Sequence, residues 1–83
     1  MHKILVVDDD PGLRMIVASA LGEAHYIVDQ AQDGEEALNK VRANSYNLVL
    51  LDVNMPEMDG YEVVSWLKKN IPSVKVLVVS MIQ

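Results

Sequence analysis

Three short aliphatic runs set the tightest limit on how this chain can fold: Ile4–Val7, Leu48–Leu51 and Val76–Val79. Each is rich in Val, Ile and Leu and is bounded by polar or turn residues, the pattern of a strand buried in a parallel sheet. The stretches between them carry helical periodicity, as the crossovers of a parallel sheet require. A weaker strand is predicted over Tyr26–Ala31.

Leu13, Ile16, Val17, Ala20 and Leu21 recur at i, i+3, i+4, i+7 and i+8, which predicts one buried helix face. Asp10 is a natural N-cap for that helix. Pro11 suits its first position, where a missing N–H costs nothing. A second helix opens at Asp33, with Glu36 three residues on in a capping-box arrangement, and turns Ala37, Leu38 and Val41 inward. A third opens at Asp59, with Glu62 in the same relation, and buries some of Val63, Val64, Leu67 and Ile71. Lys68 and Lys69 complement its C-terminal dipole, and Pro72 ends it. The order β-α-β-α-β-α-β predicts an α/β domain with a parallel sheet and right-handed crossovers. With 83 residues there is room for one small domain, and no repeat or linker divides it.

Composition narrows the function. The chain is 51% hydrophobic and 23% charged, as a folded globular segment is. A net charge of −5 argues against a nucleic-acid footprint or an anionic membrane surface. The absence of cysteine excludes disulfides, thiolate metal sites and a Cys nucleophile. The apolar run in "MHKILVVDDD" is too short for a signal-peptide core or a membrane span, which predicts a cytoplasmic segment.

Two predicted strands end in acids: the first runs into Asp8, Asp9 and Asp10, the third into Asp52. Ligands of open α/β sheets bind at the carboxyl ends of the strands. If those two strands are neighbours, at least three carboxylates converge there. Their mutual repulsion is best relieved by a hard divalent cation such as Mg2+. Asp10, Asp33 and Asp59 are explained as caps. No helix begins directly after Asp52, so capping does not explain it and a functional role is the better reading.

The runs "ILVVDDD", "LVLLDVNMPEMDG" and "VKVLVVS" together resemble a response-regulator receiver domain of two-component signalling, over the whole chain. The resemblance implies a flavodoxin-like (CheY-like) α/β fold, lacking here the last strand and two helices, so that residues 1–83 correspond to the N-terminal two thirds of a receiver with no output domain. It implies that Asp52 is the phosphoacceptor, receiving a phosphoryl group from a histidine on a sensor kinase. It implies Asp9 as a direct Mg2+ ligand and Asp8 as its water-mediated partner, with Asp52 and the backbone carbonyl of Asn54 completing the protein's share of the metal shell. Ser80 matches the switch hydroxyl that bonds the phosphoryl oxygen, and Met55, Pro56 and Gly60 shape the acceptor loop. The Asn54 side chain falls where the family tunes dephosphorylation.

The family's lysine after a fifth strand has no counterpart among Lys3, Lys40, Lys68, Lys69 and Lys75. Losing such a donor typically costs about 10²–10³ in rate. The predicted fourth strand also presents an open apolar edge, which leads us to expect self-association. His2 and His25 are expected to be ordinary surface or packing residues, Met55 and Met58 to pack the loop, and Trp66 to serve as an optical reporter.

The leading expectation is therefore a signalling receiver that promotes its own phosphorylation but is a substrate module more than an enzyme. Against it stands a non-catalytic, self-associating fragment of receiver ancestry. An aspartate-nucleophile phosphatase is weaker, because residue 54, two past the acceptor, is Asn. A dinucleotide or flavin binder is weaker still, because the first strand leads into acids and not into a glycine-rich phosphate cradle.

Overall fold

The computed structural model describes residues 2–52 and 60–79. The elements follow in the order β1 (Lys3–Val7), α1 (Pro11–Glu23), β2 (Ile27–Ala31), α2 (Gly34–Ala43), β3 (Leu48–Asp52), α3 (Gly60–Asn70) and β4 (Lys75–Val79). The strands form one parallel sheet of order β2-β1-β3-β4. Every predicted element is present. Tyr26 falls outside β2 because it belongs to the end of α1, where its amide bonds the Leu21 carbonyl at 3.1 Å.

That helix end is a Schellman closure. The His25 amide bonds Gly22 O at 3.0 Å while His25 itself takes a left-handed φ of 71°. The opposite end is capped as expected: the Asp10 carboxylate accepts from the amides of Gly12 and Leu13, at 2.9 and 3.3 Å. Asp33 caps α2 through the Glu36 amide at 2.8 Å. The expected cap of α3, Asp59, lies outside the described residues.

Parallel pairing sets Leu5 beside Val49 and Val7 beside Leu51, so these four share one face. Ala37 and Val41 of α2 and Val63 and Leu67 of α3 close over them in a single buried core. On the other face α1 packs over β1 and β2, burying Ile4 and Val6.

Two expectations need correction. The inward stripe of α1 is Leu13, Arg14, Val17 and Leu21, with Ala18 buried; Ile16 is 67% exposed and Ala20 also faces solvent. Arg14 lies on the inward side, where its Nε reaches Gln30 of β2 at 3.1 Å. The second correction concerns burial along the sheet. Leu48 and Leu50 are only half-buried, and on β4 Leu77 and Val78 are 52% and 43% exposed. α1 lies mainly over β1 and β2, so Leu77 and Val78 on the two faces of β4 are left exposed while Val76 packs against the core. Aliphatic composition alone could not tell a central strand from this one.

Candidate functional site

β1 and β3 are adjacent and in register, Val7 beside Leu51, so the residues at their carboxyl ends are brought side by side. Asp8 follows the end of β1 and Asp52 closes β3. Both are buried, at 2% and 6% exposure, and they are the buried charged side chains among the described residues. Asp9 is exposed at the rim. One carboxylate oxygen from each of Asp8, Asp9 and Asp52 lies within 4.8 Å of the other two. A small cavity of about 110 Å3 opens beside Asp8 and Asp52, walled by Val6, Val17, Leu50 and Val79.

Burial pushes the Asp8 carboxyl above its usual range. The Asp10 amide, bonded to Asp8 Oδ1 at 2.9 Å, works in the opposite direction. The negative charge of Asp52 and a hydrogen bond to it raise the value further, with a smaller push from Asp9. Two carboxyls share a hydrogen bond only when one carries a proton, so without a cation the pocket favours retaining one.

The donors are all oxygen, two sunk in the protein and one at the solvent boundary. That set fits a small, hard divalent cation that keeps part of its water shell. Of the residues expected at the site, Asp8, Asp9 and Asp52 are brought together. Asn54 and Ser80 lie outside the described residues, as do Met55 and Pro56.

One participant was missed. Arg14 donates from Nη1 to the backbone carbonyl of Asp8 at 2.7 Å and from Nε to Gln30 Oε1 at 3.1 Å. The available signal was a long cation one residue after Leu13 and three before Val17, where an unbroken apolar stripe would have kept its charge outside.

An α/β sheet with acids at adjacent strand ends defines a class of domain that binds its ligand at the carboxyl edge of the sheet. Residues 4–83 match the family described as the response regulator receiver domain, and the chain belongs to that family. Such domains are phosphoacceptors of two-component systems. The response regulator protein TrrA of Thermotoga maritima, solved with Mg2+–BeF, is 40% identical, with a TM-score of 0.91 over 96% of this chain and 70% of that one. TrrA in complex with the histidine kinase ThkA is matched at 38% identity and a TM-score of 0.90, over 100% and 72% of the two chains. The sensor protein EvgS of Escherichia coli (strain K12) is 44% identical over 66 residues, 80% of this chain. The chain spans 6% of that protein's length. Among the described residues no helix is long and apolar enough to cross a membrane.

Proposed function

We propose that this chain accepts a phosphoryl group on Asp52 from a phosphohistidine of a sensor kinase, with Mg2+ held by Asp8, Asp9 and Asp52. The convergence of these three carboxylates at the ends of β1 and β3 carries the reading. Two likenesses support it: TrrA is solved with Mg2+–BeF, whose fluoroberyllate stands in for a phosphoryl group, and also with a histidine kinase. Residues 1–83 then correspond to the N-terminal two thirds of a receiver, consistent with the 70% and 72% of the solved TrrA chains that they span. Acting beside a nucleotide-fed kinase, the segment belongs in the cytoplasm. It works as a kinase substrate and not as a multiple-turnover enzyme.

Asp52 is the nucleophile. One of its oxygens attacks phosphorus in line, forming the O–P bond as the P–N bond of the donor breaks and the histidine leaves with the electron pair. Burial of Asp52 strengthens the electrostatic interactions that its carboxylate makes there. Asp8, fixed by the Asp10 amide, and Asp9, open to solvent, hold the cation from the other strand end. When bound, Mg2+ neutralises the acid cluster and stabilises charge on the transferring oxygens. The backbone carbonyl of Asn54 and the hydroxyl of Ser80 complete the proposed set, as metal ligand and phosphoryl hydrogen-bond donor.

Intact mass after incubation with a small acyl-phosphate donor tests this. A single phosphoryl adduct is expected with Mg2+, absent in Asp52→Asn and in EDTA. An adduct that persists in Asp52→Asn would refute it.

The exposure of Leu77 and Val78 on opposite faces of an edge strand favours a second reading beside the first: the 83-residue chain pairs with its own copy along β4. Light scattering at tens of micromolar should give a mass above the monomer's, falling to it in Leu77→Lys. A monomer in the parent chain would exclude this.

A further inference from the structure

The ladder of β1 ends at Val7, so the carbonyl of Asp8 has no strand partner in either register. Arg14 supplies the missing donor at 2.7 Å. That carbonyl belongs to the peptide group whose other end is the Asp9 amide, so a bond to it sets the plane linking the two acids at the mouth of the pocket. The guanidinium is itself aligned: Nε is held by Gln30 Oε1 at 3.1 Å. Gln30 is in turn fixed through its backbone oxygen by Lys40 Nζ at 2.6 Å, from α2 on the opposite face of the sheet. A planar fork that donates to two acceptors at once leaves Arg14 little freedom, whereas a lysine there would keep the charge and lose the fork.

We propose that Arg14, aligned by Gln30, is a positioning residue for the cation site: it orients the Asp8–Asp9 peptide so that both carboxylates converge with Asp52. This rests on the Mg2+ reading of the pocket. The side chain's charge acts in the other direction, since a cation near the pocket repels Mg2+. The informative substitutions are therefore those that preserve charge.

Mg2+ titration by calorimetry of the 83-residue chain, with Arg14→Lys and Gln30→Leu, separates the two effects. Arg14→Lys should raise the Kd roughly tenfold, the low end for loss of a group that orients a metal ligand. Gln30→Leu should raise it by a smaller factor, and the double variant should lose little more than Arg14→Lys alone, because both act through one guanidinium. In the metal-free protein, amide exchange at Asp10, whose N–H bonds Asp8 Oδ1, should accelerate in Arg14→Lys. A lowered Tm with Mg2+ affinity unchanged in both variants would make Arg14 a plain clamp between α1 and β2, and would overturn the proposal alone. Failure of the unsubstituted chain to bind Mg2+ would overturn the site reading, and the positioning role with it.

Discussion

Asp8 is stabilised in its protonated form, whereas holding a cation would need it as a carboxylate. Its folded carboxyl titrates above the ordinary 3.8, chiefly because it is buried, and next because Asp52 stands beside it against the help of the Asp10 amide. Between 3.8 and that raised value the folded chain holds a proton that the unfolded chain has lost. This contribution to stability is fully present below 3.8 and disappears as pH rises through the folded value. Without metal, Asp8→Asn should therefore raise Tm at neutral pH by several degrees, as on the order of 1 kcal/mol does in so small a chain. It should also flatten the decline of Tm with rising pH. Mg2+ should raise the Tm of the parent chain and have little effect on the variant; thermal scans with and without the ion at several pH values check both. His25 shows what a residue-by-residue reading misses. Its left-handed φ is normally signalled by Gly, and nothing in the imidazole announces that it closes a helix.

At the scale of elements, the strands and helices were legible because two periodicities, alternating polar bounds and helical spacing, are written directly into the order of residues. Caps were legible for the same reason, Asp10 and Asp33 being followed at fixed offsets by the amides they serve. Relations across elements were not. Nothing local pairs Tyr46, just before β3, with Asp29 of β2, yet its hydroxyl donates to Asp29 Oδ2 at 2.6 Å while Lys3 lies 3.7 Å from the same oxygen. Burial and then this carboxylate push the phenol well above its usual range, so the hydroxyl keeps its proton for the bond at neutral pH. Tyr46→Phe should cost about 1–2 kcal/mol in urea denaturation, with an unchanged slope. Mg2+ affinity should not move, because the cluster sits toward the opposite end of the sheet from the acids. The acid site was legible only through strand adjacency: Asp8 and Asp52 are 44 positions apart and meet because β1 and β3 are neighbours.

Across the whole molecule, cover is unevenly distributed. β1 is central and buried on both faces, whereas β4 is half-open on both and paired on one side among the described residues. Native-state hydrogen exchange should resolve the difference: β1 amides should exchange only through global unfolding, and outward-facing β4 amides at least about tenfold faster through local opening. Equal protection in the two strands would contradict the picture. The pocket spans this gradient. Asp8 and Asp9 extend from the end of the covered strand β1, while Asp52 closes the strand next to the open one, opposite Val79. A partner that orders β4 would therefore bear on Asp52 through the ladder they share before it reached Asp8 or Asp9 at the end of β1.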